Sequence, residues 1–147
     1  MGGRLAGIAR HGEPKGSMEQ LRHVGVTIDE GVHGDFRGGL ASTKRRRTRQ
    51  VSLIERESWD TAAAAAQCPY EWWNSRRNLL VEGVRLPRQG GAKVQVGATL
   101  VIESTEECAP CARMEALHAG LLAELTPGWR GGFAVRVITD GEIAVGD

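Results

Sequence analysis

The sequence has no apolar run near the roughly 20 residues that a membrane-spanning helix needs. Its start, Met1-Gly2-Gly3-Arg4-Leu5-Ala6-Gly7, holds no apolar stretch of the secretory type. No membrane association is therefore expected. Cysteine is scarce, with three residues, an odd number. That argues against a disulfide scaffold and suits a cytoplasmic, reducing location. Net charge is almost absent, since 19 Lys+Arg against 18 Asp+Glu leave +1. Charge balance thus makes no case for nucleic acid. Repeats, linkers and low-complexity tracts are missing too. A single domain over residues 1–147 is expected, long enough to enclose one core.

Glycine is abundant instead, with 20 residues where a typical share is about 7%. Turns and close backbone contacts are implied. Residues 4–10 alternate weakly and predict a first strand, and Val24 with Val26 predicts a second. Residues 31–39 contain four glycines in nine and form a loop, either on the surface or shaped around a ligand. Val51, Leu53 and Ile54 read as a buried strand. Residues 55–67 read as a helix, with acidic residues in the first turn, five consecutive alanines and Cys68-Pro69 as the stop. Tyr70 to Asn74 form an aromatic knot at the edge of a core. A strand follows at Leu79-Leu80-Val81, then a hairpin of residues 93–96 and 99–104 about Gly97-Ala98.

Met114, Leu117, Leu121, Leu122 and Leu125 share one face of a second helix, which Thr126-Pro127-Gly128 stops. Phe133, Val135 and Val137 line one side of a strand, and Asp140-Gly141 predicts a hairpin turn back along 143–145. Seven or eight short strands that do not alternate with helices point to a mainly β fold. A mostly antiparallel β-barrel with a few helices packed outside fits best.

The stretch with most chemistry is Glu106-Glu107-Cys108-Ala109-Pro110-Cys111-Ala112-Arg113-Met114. A strand leads in and an apolar-periodic segment leads out, so Cys111 is expected in the first turn of a helix after Pro110. Unpaired N–H groups there, with Arg113 as a nearby cation, favour a negatively charged sulfur. Four readings compete. A thioredoxin-like redox pair needs an α/β sheet, but no βαβ unit precedes this motif. A zinc site needs four ligands, and neither Cys68 nor His11, His23, His33 and His118 is spaced as a second pair. Inert buried cysteines are common, but these neighbours are polar. A reactive thiol at Cys111 is left as the reading to follow.

The run Lys44-Arg45-Arg46-Arg47-Thr48-Arg49 packs five cations into six positions. It reads as a solvated loop or as a rim that attracts an anionic ligand. A nucleic-acid or protein-binding role is a third reading, although no helix-turn-helix, RNA-recognition or zinc-finger signature accompanies it. His33 reads as a loop residue or, if the loop holds a ligand, as a proton donor.

Taken in order, Gly34-Asp35, Arg49-Gln50-Val51, Asn78-Leu79 before Glu82-Gly83, Pro110-Cys111 and Gly141-x-Ile143-x-x-Gly146-Asp147 form a set that resembles the MOSC domain. That domain is named for the C-terminal part of molybdenum cofactor sulfurase. The resemblance runs from about Leu5 to Asp147.

The resemblance implies a barrel related to that of pyruvate kinase. It also implies a molybdenum cofactor (molybdopterin), a molybdenum ion on a pyranopterin dithiolene with a phosphate tail. Some members reduce N-hydroxylated bases or amidoximes. Others carry or transfer sulfur, in some cases beside a pyridoxal-phosphate sulfurase. By this resemblance Cys111 ligates molybdenum or holds a persulfide, and Arg49 and Asn78 match motif positions. Arg49, Arg76 and the loop from Gly34 and Asp35 to Gly39 would meet the phosphate, and Asn78 the pterin edge.

Two departures stand out. Arg76-Arg77-Asn78-Leu79 replaces the Gly-Glu-Asn-Leu of many small bacterial members and looks like the larger amidoxime-reducing relatives. Residues 12–17 resemble the family's Pro-x-Lys-Ser segment only loosely, which sets Lys15 aside. Neither a ferredoxin-like extension nor a sulfurase domain is seen. A small-molecule substrate and a separate electron donor or sulfur donor protein are therefore expected, and a nucleic-acid partner is not.

Overall fold

A computed structural model describes residues 2–36 and 49–147. The strands are β1 (Arg4–Arg10), β2 (Glu19–Leu21), β3 (His23–Thr27), β4 (Gly31–Val32), β5 (Val51–Glu55), β6 (Leu79–Glu82), β7 (Lys93–Val96), β8 (Leu100–Glu107), β9 (Phe133–Thr139) and β10 (Gly141–Ala144). The helices are α1 (Arg56–Ala66), α2 (Ala112–Leu117) and α3 (Leu121–Leu125). Short 3₁₀ turns occupy Trp72–Ser75 and Pro127–Trp129. No described helix is long and apolar enough to cross a membrane.

Seven strands form one sheet in the order β2-β1-β6-β5-β9-β8-β7, and β10-β3-β4 form a second. Alternation decides what each face buries. Ile8, Leu53, Leu79 and Val81 point into a core that also receives Val24, Val26, Val32 and Ile143 of the small sheet. The two sheets thus close around one barrel interior. Their neighbours Ala9, Ile54 and Leu80 point the other way and meet the helices. Phe133, Val135 and Val137 all enter the barrel core, on one side of β9 as their spacing predicts.

The first helix forms where expected. Glu55 is its extended cap residue, Glu57 lies in the first turn, and Gln67 ends it in the left-handed conformation. Gln67 N–H donates to Ala64 and Cys68 N–H to Ala63, a Schellman closure that stops the helix just before Pro69. Its face of Trp59, Ala62 and Ala63 packs on Ile54, Leu80 and Leu121. Of the aromatic knot, Trp72 is buried. It lies so close to β1 that a Cβ on Gly7 would come within 2.6 Å of its ring.

Three expectations are corrected. A βαβ unit does precede the cysteines, because β5 and β6 pair in parallel through α1. The turn at Asp140-Gly141 does not fold back on β9. Both edges of β9 are taken by β5 and β8, so β10 pairs with β3 and buries Ile143 beside Val24. The second helix is two helices. His118 is extended and Gly120 has a φ of +89°, which breaks the turn. The expected apolar face survives the break: Met114, Leu121 and Leu125 are buried, and Leu117 and Leu122 pack partly against the same cluster.

One strongly held ion pair anchors this frame. Glu55 is 3% exposed and meets Arg88 in a two-point fork, Oε2 to Nη1 at 2.6 Å and Oε1 to Nη2 at 2.7 Å. Burial pushes the Glu55 carboxyl up. The Arg88 bonds, the Leu86 N–H at 2.8 Å, the Arg88 charge and the Ser58 hydroxyl outweigh it, so the carboxyl lies below its ordinary value.

Candidate functional site

Ser52 pairs with Ala134, and Ala134 with Glu106, so one row of residues crosses β5, β9 and β8. Asn78, just before β6, extends this row by bonding Ser52. Above the row opens a cavity of about 380 Å³, a size suited to a small molecule or cofactor. Arg49, Ser52, Arg76, Asn78, Cys111 and Arg113 all line it. Residues far apart in sequence meet here because neighbouring strands bring their ends to one rim.

The cysteine loop is built by close backbone contacts. Cys108 N–H donates to the Gly132 carbonyl at 2.9 Å. A Cβ on Gly131 would sit 2.8 Å from Pro110 Cδ and 2.9 Å from the Cys108 carbonyl oxygen, so only glycine fits. Arg77 spans the loop, with Nε on the Gly131 carbonyl at 2.7 Å and Nη2 on the Cys108 carbonyl at 2.9 Å. Cys111 is exposed and Cys108 half-buried, both as free thiols on the cavity wall. Cys111 is the cap residue of α2 and not a member of its first turn, because its backbone is still extended (φ −121°, ψ 178°).

Charge is one-sided. Among the described residues Lys15, Arg49, Arg76, Arg77 and Arg113 line the cavity, and no carboxylate does. Arg77 donates to the neutral carbonyls of Gly131 and Cys108, and Arg76 donates to that of Gly16. Arg49 pairs with Glu106 at 3.0 Å, but both side chains are well exposed, so solvent screens the pair. Among the described residues Arg113 has no ion pair. Such a pocket concentrates anions. Among the described residues no group of three or more His, Cys, Asp or Glu could hold a metal ion on its own. A metal here would need ligands from a bound organic group as well.

Three expected contacts take other places. Asp35, 4% exposed, does not line the cavity. Its Oδ1 accepts from the His11 N–H and from Asn78 Nδ2, each at 3.2 Å, so it braces the wall from behind. Gly34 is set back with it. Its φ is +80°, and a Cβ would strike Arg10, whose Nη1 bonds the His33 carbonyl at 2.6 Å. Asn78 borders the cavity, but its amide is spent. Oδ1 accepts from Ser52 N–H and hydroxyl, and Nδ2 donates to Ala9 O and Asp35. Those bonds fill an amide's capacity. His33 is engaged with Glu30 and Thr27 outside the cavity. The basic run from Lys44 to Thr48, with Gly38 and Gly39, lies outside the described residues.

Sequence reasoning passed over Arg77 and set Lys15 aside, and both line the cavity. Arg77 was visible only as half of an Arg-Arg pair. Lys15 reaches the cavity through a turn in which its own φ is +58°. Gln50, inside the Arg49-Gln50-Val51 motif, proves structural. It donates to the Ile28 carbonyl and accepts from Val137 N–H, tying the loop after β3 to β9.

Comparison with known proteins agrees with this architecture. The MOSC domain profile matches residues 11–147. The structure is similar to the YuaD protein from Bacillus subtilis, with a TM-score of 0.83 at 16% identity over 100% of this chain and 93% of that one. It is also similar to YiiM from Geobacillus stearothermophilus (0.70, 15% identity, 99% and 72%) and YiiM from Escherichia coli (0.67, 15%, 96% and 65%). This chain therefore spans about two thirds of the Escherichia coli YiiM chain. A search of curated proteins gave no match. The chain belongs to the MOSC domain family.

Proposed function

We propose that this MOSC protein holds a molybdenum cofactor in the cysteine cavity, with Cys111 as the protein ligand to molybdenum, and reduces N-hydroxylated compounds. The family is associated with molybdenum cofactor sulfurase-like proteins. The observation that carries the reading is an exposed Cys111 thiol on a cavity that, among the described residues, is lined by five cationic side chains and no carboxylate. Those residues suit the group. A thiolate is a soft donor for a thiophilic metal. A dithiolene-bearing pterin with a phosphate tail is anionic, and guanidinium groups recognise phosphate well. The volume suits a ligand of that class.

When bound, the cofactor would supply the two-electron chemistry for breaking an N–O bond. The chain's own residues do the rest. Cys111 provides the sulfur, and Arg77 holds its loop by bonds to Gly131 and Cys108. Lys15, Arg49, Arg76 and Arg113 present positive charge to the anionic parts. Asn78 in the wall and Asp35 behind it act as struts. A small-molecule substrate and a separate electron-donor protein complete this reading. The three free cysteines fit the cytoplasm.

A second reading is favoured by one observation: Cys108, a second free thiol, lines the same cavity. Cys111 would then carry sulfur as a persulfide received from a donor protein, such as a pyridoxal-phosphate enzyme. Elemental analysis after expression in a cofactor-competent host separates the two. Stoichiometric molybdenum that disappears in Cys111→Ser supports the first. Labile sulfur on Cys111 without metal supports the second. Absence of both, with salt-dependent nucleic-acid binding instead, sinks both.

A further inference from the structure

Arg76 and Arg113 border two spaces. Beyond the cysteine cavity they also wall a separate groove of about 320 Å³, whose apolar sides are Met18, Trp73 and Leu117. The local fold explains the arrangement. Arg113 and Leu117 are four residues apart on α2 and so share one face. Trp73 belongs to the 3₁₀ turn that Arg76 caps. Its ring is set at 86° to that of the buried Trp72, with centroids 6.4 Å apart. Arg76 is fixed by its bond to the Gly16 carbonyl at 2.7 Å.

Met18, Trp73 and Leu117 are partly buried and pack against the helical-layer core, so each is held from below and presents one side to the groove. Among the described residues no carboxylate borders this space and Arg113 has no ion pair. Two guanidinium groups beside an indole and two aliphatic side chains complement one kind of molecule. It has a flat apolar body and a negatively charged end.

We propose that this groove is a second small-molecule compartment, distinct from the cysteine cavity, that binds aromatic carboxylates. The carboxylate lies between Arg76 and Arg113, and the ring lies against Trp73, Met18 and Leu117. The two guanidinium groups then form a shared partition, placing the bound acid next to whatever Cys111 holds. The compartment does not depend on the nature of that group.

The test is isothermal titration of the full chain with 2-naphthoate and with its neutral analogue 2-naphthamide. Saturable binding of the acid is expected, with the amide about tenfold weaker, because a charge-assisted bond is lost. Arg113→Gln and Leu117→Asp should each weaken naphthoate by about tenfold. Arg113 is exposed, so its replacement keeps the test valid should Leu117→Asp unfold α2. Cys111→Ser should hold naphthoate within about twofold, as expected of a separate site. Absent binding, equal binding of acid and amide, or parent-like binding by Arg113→Gln would overturn the proposal. Loss of binding in Cys111→Ser would overturn it too, by moving the ligand into the cysteine cavity. A failure to load molybdenum would sink the reductase reading without touching this result.

Discussion

The guanidinium of Arg77 donates through Nη2 to the main-chain carbonyl of Cys108 at 2.9 Å, across 31 residues of sequence. That bond couples the chain entering β6 to the loop that presents Cys111. Arg77→Ala should therefore loosen the loop before it unfolds the barrel. Amide hydrogen exchange at Cys108 is expected to rise by about tenfold or more, with a stability loss of about 1–3 kcal/mol for the unmatched carbonyls. Arg77→Lys should recover little, since one ammonium cannot reproduce the fork on Gly131 and Cys108. Parent-like exchange in Arg77→Ala would show that the loop stands without the clamp.

The same loop rests on Gly131. In Gly131→Ala the new methyl would meet Pro110 and the Cys108 carbonyl at under 3.0 Å. One of the two segments must move. The expected outcome is a protein that folds, at a cost of about 1–3 kcal/mol for overpacking. Its Cys111 should lose molybdenum occupancy in a cofactor-competent host. Full occupancy would mean that the loop position is not what matters.

Asn78 is a strut, and its variants should behave accordingly. Asn78→Ala leaves Ser52 N–H, Ala9 O and Asp35 without their amide partner at a site 5% exposed. A loss of about 3 kcal/mol in a urea or thermal melt is expected, from the cost of unmatched buried polar groups. Asn78→Asp should be no milder, because it sets a second carboxylate beside Asp35. A variant with parent stability and weakened ligand binding would return Asn78 to direct ligand contact.

Glu55 sets an acid limit. Its carboxyl is held below the ordinary value of 4.5 by Arg88, Leu86 N–H and Ser58, against the opposing effect of burial. A depressed acid stabilises the fold above its unfolded value, and that contribution fades as pH falls through the folded value. The stability gap between parent and Glu55→Gln should be constant near neutrality and narrow below about pH 4.5. Glu55→Ala strands Arg88 and should cost about 3–5 kcal/mol at pH 7. For a chain of this size that is a fall of roughly 10–16 °C in Tm. A gap independent of pH would remove Glu55 as the cause.

Much of this molecule was legible without coordinates. Strand β1, helix α1 and the β7–β8 hairpin follow from local chemistry: alternation, alanine content, caps and turn residues act within a few residues. The ordered motifs also pointed to the MOSC family. Pairing partners were not legible. Nothing near Asp140-Gly141 says that β9 already has two neighbours, which sends β10 to β3. Nor does the apolar period of residues 114–125 reveal a break at Gly120, because both helices keep the same face.

The sequence by itself determined most of the strands, the first helix, which faces are apolar and which thiol follows a proline at the end of a strand. Tertiary structure decided what those residues do. It made Asn78 and Asp35 braces, brought Lys15 to the cavity, and turned Arg77 into the clamp on Cys108. Propensity and periodicity are short-range along the chain. A hydrogen bond between residues 31 or 43 positions apart exists only once the sheets have closed and brought its partners together.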